Sequence, residues 1–237
     1  MKRRIVISII ILLLLGTMAF SFYHILGWIN DNQKTNELIE KVQEEVYDSE
    51  TEKIDFPKLK EINNEVVGWI KIEDTNIDYP IVKHSNNSYY LNHSFDYSIN
   101  EAGWIFLDYR NDLENLSFNT IIYAHGRVDG SMFGSLKDIY NKEYFTKDKH
   151  LVYLYTPKNN YIFEVFSFYI VKTTNDYLDI SFQDSFSYTK FIKMIQDRSS
   201  YPFSVDVLEN DKIITLSTCY NKKEKLVLHA KLVNYKE

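Results

Sequence analysis

One cysteine, four prolines and seven glycines are few for a chain of 237 residues. A lone cysteine excludes an internal disulfide framework. So little Gly and Pro excludes a low-complexity or collagen-like chain. A basic excess is missing too. Lys and Arg number 27 against 33 Asp and Glu, a net charge of −6. That balance argues against nucleic acid as a partner. No internal repeat with a period of about 20–50 residues is present. Tyr (19) and Phe (15) are abundant, and both favour strands. With 45% hydrophobic residues, the length suffices for one domain with a full core.

Asp, Glu, Lys and Arg are absent from Ile5 to Ile29. As a helix this run would reach about 37 Å, more than the roughly 30 Å hydrocarbon core of a bilayer. The apolar region of a signal peptide is shorter, about 7–15 residues, and ends at a small-x-small site. No clear A-x-A follows here, so the expectation is an uncleaved anchor. Lys2, Arg3 and Arg4 precede the run, and Asp31 and Glu37 follow it. The positive-inside rule then places the N-terminus in the cytoplasm and the rest outside. His24 and Trp28 read as membrane-boundary residues. The expected organisation is a basic end (1–4), an anchor (5–29), a linker with an amphipathic helix (30–56) and a folded domain (57–237). Leu38, Ile39, Val42 and Val46 carry the helical spacing in the linker.

From Val66 onward the pattern changes. "VVGWIKI", "IDYPIV", "GWIFLD", "NTIIYA", "HLVYLYT", "NYIFEVFSFYIV", "DKIITLST" and "KLVLHAKLV" read as strands. "DTN", "NEAG", "PKNN" and "ENDK" separate them as turns. Helices are expected at 56–63, with Pro57 in the first turn, at 131–140 and at 185–198. About eight strands and few helices predict a mainly β chain closed into a barrel. Helices precede the barrel, and one stands before the last two strands.

Strand alternation sorts the residues around Cys219. Thr215, Ser217 and Cys219 share one face; Ile214, Leu216 and Thr218 share the other. In the next strand Leu226, Leu228, Ala230 and Leu232 form an apolar face. Lys225, Val227, His229 and Lys231 form what reads as a polar one. If the strands pair through a loop at 220–224, Lys225 stands opposite Cys219, with Cβ atoms ~5 Å apart. A cation beside a thiol at a strand end favours the thiolate. The competing reading is a small buried hydrophobe, the usual fate of a free cysteine. Spacing alone leaves both open.

A thiolate nucleophile needs a proton partner, most often His. His24 belongs to the apolar run. His84, His93 and His150 lie in polar, loop-like stretches and are expected to be solvated. His229 is four residues along the strand from Lys225, roughly 13 Å away, too far for direct transfer. His125 ends the strand "TIIYA" just before Gly126, at a strand-to-loop rim, and is the leading candidate among the six.

These motifs resemble a known family. "TLSTC" (215–219) is similar to the sortase nucleophile signature T-L-x-T-C, and "IIYAHG" (121–126) to the sortase histidine motif. "GWIFLDYRND" (103–112), "SMFGSLKDIY" (131–140) and the helix at 185–198 resemble stretches of class B sortases. The resemblance covers about residues 35–235. It implies a sortase-type eight-stranded barrel that cleaves a C-terminal sorting signal on secreted proteins. Cys219 would attack the signal's Thr carbonyl and form a thioacyl enzyme. His125 would protonate the leaving amine and deprotonate the incoming one, on a peptidoglycan precursor, a cross-bridge or a protein lysine. The signal would be of the N-P-x-T-x kind, on the outer face of the membrane. The resemblance implies no cofactor and no metal, and no ligand cluster at metal spacing stands in the sequence.

Class B sequences carry Arg on the strand after the cysteine; here Lys225 stands in its place. Lys supplies charge without a planar bidentate fork, and it can still support an oxyanion. No Arg follows Arg198, which reads as a solvated or structural helix-end cation. The family's groove pattern T-x-x-x-Y-[IL] falls on Thr173, Tyr177 and Leu178 in "TTNDYL". An N-x-x-x-L pair falls on Asn87 and Leu91, and Ser217 and Thr218 adjoin the nucleophile. Leu91 and Leu178 read equally as core, and Thr173, Asn87 and Ser217 as surface polar groups. Two alternatives stand beside an active class B enzyme. One is an inactive, membrane-tethered module that binds the sorting peptide. The other is a pilin-polymerising sortase, a kind that typically adds a lid and often a second, C-terminal span. A papain-like order is excluded, because there the Cys precedes the His.

Overall fold

The computed structural model describes residues 2–48, 53–140 and 149–236. Helix α1 (Lys2–Val46) is continuous. Ile5 to Ile29 is exposed along its whole length and is long and apolar enough to cross a membrane. Past Asp31 the same helix docks on the domain. Thr35, Val42 and Val46 are buried there, and Leu38 and Ile39 pack beside them. These five share one helical face. Asn100 Nδ2 donates to Thr35 Oγ1 (3.0 Å), Gln43 Nε2 donates to the Asp78 carbonyl (2.9 Å), and Arg127 donates to Asn32. The expected amphipathic helix is thus the second half of one long helix. No Gly or Pro lies between Trp28 and Val46 to interrupt it. Short strands β1 (Tyr47–Asp48) and β2 (Lys53–Ile54) pair next; residues 49–52 of the expected linker lie outside the described residues. Helix α2 (Phe56–Ile62) follows, capped by Asp55, whose carboxylate accepts from Lys58 N at 3.0 Å.

The barrel strands are β3 (Val66–Ile72), β4 (Asp78–Val82), β5 (Phe106–Leu107), β6 (Asn119–Tyr123), β7 (Leu151–Tyr155), β8 (Asn160–Lys172), β9 (Ile213–Cys219) and β10 (Glu224–Lys236). They close in the order β10-β8-β7-β3-β4-β5-β6-β9. The β4–β5 and β6–β9 pairs are parallel and the rest antiparallel. The expected strand at 103–108 keeps only Phe106–Leu107; Gly103 adopts φ +61°, and Trp104 N turns to the Tyr90 carbonyl (2.9 Å). The expected helix at 131–140 is a 3-10 helix over Gly134–Tyr140. Inside the barrel Ile70, Ile122, Phe163, Leu216, Leu226 and Leu228 are fully buried. Each such side chain contributes about 1.5–3 kcal/mol on burial.

A second apolar layer lies outside the barrel. Helix α3 (Ser185–Asp197) begins with a capping box between Asp184 and Ser187. It sets Tyr188, Phe191, Ile192 and Ile195 against Phe166, Tyr169 and Val227. This corrects the reading of a polar outer face. Thr215, Ser217, Val227 and His229 are all buried beneath that layer. Cys219, at the strand end, is exposed. Three histidines also differ from expectation. His150 is buried beside Phe203. His84 and His93 stack on Tyr89, and His84 Nδ1 meets Glu65 at 2.7 Å.

Candidate active site

The β9–β10 hairpin pairs Cys219 with Lys225, and Lys225 Nζ donates to Cys219 Sγ at 3.1 Å. Asn221 shapes the loop between them. Its side-chain oxygen accepts from the amides of Lys223 (2.8 Å) and Glu224 (3.0 Å), an Asx-type turn. Strand β6 brings the histidine. Tyr123 pairs with Ser217 in the parallel ladder. Two residues further along each chain come His125 and Cys219, so the same register carries them to neighbouring positions. Adjacent strands lie ~4.8 Å apart. Thr218 Oγ1 donates to the Ala124 carbonyl at 2.7 Å and ties the two segments together.

Two glycines permit the close fit. A Cβ on Gly126 would lie 2.3 Å from the Cys219 carbonyl oxygen. A Cβ on Gly103 would lie 2.5 Å from the Tyr90 carbonyl and 3.0 Å from His125 Cδ2. Through that gap His125 Nε2 reaches the Leu91 carbonyl at 2.7 Å. A carbonyl only accepts, so Nε2 carries the proton and Nδ1 is the nitrogen left for proton exchange.

Cys219, His125 and Lys225 open onto a groove of about 390 Å³. Asn87, Leu91, Tyr177, Leu178, Ser217 and Thr218 line it, as do Phe106, Tyr123, Ala124, Thr174 and Asn175. Thr173 is not among the lining residues; its hydroxyl donates to the Lys223 carbonyl (3.1 Å) and braces the hairpin loop. Leu91 is exposed; Leu178 is half-buried and packs against the outer apolar layer while also lining the groove. Ser217 is buried and meets the Tyr177 hydroxyl at 3.0 Å. Burial pushes the Tyr177 phenol above its ordinary value, which keeps it protonated.

The groove has a polar rim that sequence reasoning missed. Asp108 has a fully buried carboxylate. It accepts from Arg110 through both oxygens (2.8 and 2.9 Å), from Tyr123 Oη (2.9 Å) and from Asn87 Nδ2 (3.0 Å). Burial works to raise the Asp108 carboxyl. The hydrogen bonds and charge of Arg110, with the Tyr123 hydroxyl, outweigh it and hold the group below its ordinary value. Asn87 is therefore a held side chain, fixed further by Tyr109 N on its oxygen (2.9 Å). Tyr123 had a readable signal, since alternation puts it on the same side as His125. Arg198 ends α3 and clasps Asp176 through two hydrogen bonds (2.8 and 2.6 Å), a structural role beside the groove wall.

A closed barrel with a thiol, an imidazole and an ammonium at one rim defines an enzyme that works through a cysteine nucleophile. The comparisons agree. A family model described as a sortase domain matches residues 70–233. The chain is 35% identical to sortase B of Listeria monocytogenes over 235 residues, 94% of each chain. It is 32% identical to sortase B of Staphylococcus aureus over 247 aligned positions, 98% of each. Among solved structures, sortase B from Bacillus anthracis in complex with AAEK1 superposes with a TM-score of 0.76 at 37% identity, covering 87% of this chain and 99% of that one. The chain belongs to the sortase family and within it to the sortase B group, the cysteine transpeptidases of the cell surface.

Proposed function

We propose that the protein cleaves a C-terminal sorting signal of the N-P-x-T-x kind and transfers the new Thr carboxyl to a cell-wall amine. The Cys219 thiolate attacks the Thr carbonyl carbon, and a C–S bond forms as the carbonyl becomes an oxyanion. The peptide C–N bond then breaks. His125, holding the proton lost by the thiol, gives it to the leaving amine through Nδ1. The incoming amine attacks the thioester, His125 takes its proton, and the thiolate is restored. Lys225 offers its ammonium to the oxyanion as a point charge. Asn87, Leu91, Tyr177, Leu178, Ser217 and Thr218 receive the peptide. Ile5–Ile29 anchors the enzyme, with Lys2, Arg3 and Arg4 on the cytoplasmic side and the barrel outside.

The observation that carries this reading is the parallel β6–β9 register, which brings His125 alongside a cysteine already paired with Lys225. The test is intact-mass detection of a thioester on the full chain in detergent, using a panel of sorting peptides. A peptide-sized adduct that is lost in Cys219→Ala supports the enzyme. Peptide binding with no adduct across the panel would establish the module that binds without turnover.

A further inference from the structure

The groove wall of Tyr177 and Leu178 continues into Asp179, and this three-residue segment belongs to no helix or strand. Side chains hold its three carbonyls. Asn119 Nδ2 donates to Tyr177 O (3.2 Å) and Asp179 O (2.9 Å). Arg110 Nη2 donates to Leu178 O (3.0 Å). Asn119 is fully buried at the start of β6, and its other amide atom is also committed. Asn119 Oδ1 lies 2.6 Å from Thr215 Oγ1 and can only accept, so the Thr215 hydroxyl donates to it.

That donation sets the next link. The Thr215 proton is spent, so at 2.8 Å Thr215 Oγ1 must accept from His229 Nδ1–H. His229 is fully buried, and burial, with the Arg198 charge nearby, pushes it down to about 3. The ring is neutral, so Nε2 is an acceptor, and it takes the Tyr169 hydroxyl proton at 3.0 Å. Every donor points the same way, from Tyr169 through His229 and Thr215 to Asn119. The chain ends on two carbonyls of the groove wall.

We propose that this buried chain is a positioning device for peptide binding: Asn119, held by Thr215 and His229, fixes the Tyr177–Asp179 wall against which the sorting peptide lies. Neither Asn119 nor His229 lines the groove, so both act through the wall. The proposal rests on the transpeptidase reading for its substrate.

The test uses the full chain in detergent. Asn119→Asp keeps the shape and removes the two donors. Thr215→Val removes the link, and Thr215→Ser retains it. Three readouts are taken: kcat and KM for the sorting peptide, the rate of Cys219 alkylation by a small methanethiosulfonate, and amide hydrogen exchange across 173–182. Asn119→Asp and Thr215→Val should raise KM about tenfold or more. Alkylation should stay within about twofold, and exchange should rise in 173–182. Thr215→Ser should return KM and exchange close to wild type. Unchanged KM and exchange in both folded variants would overturn the proposal. So would alkylation falling by as much as KM rises, which would mean a general collapse of the site. If Asn119→Asp does not fold, the Thr215 pair decides. If wild type turns over no peptide, the reaction reading fails, while exchange in 173–182 still decides whether the chain holds the wall.

Discussion

Lys225 carries the sharpest prediction, because it stands where class B sequences keep an arginine. Its Nζ lies 3.1 Å from Cys219 Sγ. Two unit charges at that distance interact by ~1.3 kcal/mol at a dielectric of 80 and by ~5 kcal/mol at 20. The cysteine is exposed in the open groove, so the lower figure is the ceiling for any charge on its sulfur, and solvent discounts it further. In the proposed reaction a bound peptide would displace water, and the charge forming on its carbonyl oxygen would meet the ammonium in a drier setting. Loss of one oxyanion partner typically costs about 100- to 1,000-fold in kcat. Lys225→Ala should therefore lower kcat for thioester formation about 100-fold. Alkylation of Cys219 by a small neutral reagent should fall by no more than about tenfold. Lys225→Arg should match or exceed wild type, because a planar fork can hold the oxyanion and a groove carbonyl together. The assay is single-turnover mass spectrometry of the thioester, with alkylation run in parallel. Lys225→Ala within twofold of wild type, or Lys225→Arg as impaired as Lys225→Ala, would refute the role assigned to this residue.

Gly126→Ala should leave the fold intact and cut thioester formation at least about tenfold. Its new Cβ would press on the Cys219 carbonyl oxygen at 2.3 Å, so the backbone carrying the nucleophile or the histidine must shift. A normal melting temperature with unimpaired turnover would contradict the close approach. His229 predicts a pH dependence of stability. Its folded pKa lies near 3, below an unfolded value of 6.5. Between those values the unfolded chain binds a proton that the folded one refuses, so stability must decline as pH drops from about 6.5 toward 3. The groups facing the ring are the Tyr169 and Thr215 hydroxyls, the Phe166 and Tyr177 rings and the Arg198 charge, and none of them welcomes a second cation. Urea unfolding of wild type and His229→Gln across pH 4–8 should show a steeper acid loss in wild type; parallel curves would count against a neutral buried imidazole.

What could be read in advance depended on how local each pairing is. The Cys219–Lys225 register was legible because the two strands are joined by a short loop, so alternation and loop length fix the partner. The barrel was legible from the strand count, although "GWIFLD" forms a strand only at Phe106–Leu107, its start bent by the positive φ of Gly103 and the Trp104 N bond to the Tyr90 carbonyl. Thr173 illustrates the limit of a pattern match. The motif assigned it to the groove, but β8 persists to Lys172, and the following residue still faces the hairpin loop. Thr174 and Asn175, one step later, turn into the groove. The outer face of β9 and β10 was misread for a different reason. Alternation separates two faces but does not say what covers the second, and α3 covers it here.

The relation between His125 and Cys219 was the least visible part. The two strands that carry them are far apart in sequence and run parallel, so neither loop length nor alternation sets their offset. Only the ladder from Asn119↔Ile213 to Tyr123↔Ser217 does. That ladder also has Asn119 at its first rung and Thr215 at its middle, opposite Ile121. One strand pair therefore does two jobs with one register. At its end it delivers the histidine to the cysteine. At its start it sets Asn119 beneath the groove wall. A one-residue slip would turn His125 away from the rim and Asn119 out of its buried site together. The placement of His125 beside Cys219 and of Asn119 beneath the groove wall thus depends on a single non-local pairing, which is why motif positions alone locate these residues in the chain without bringing them to one rim.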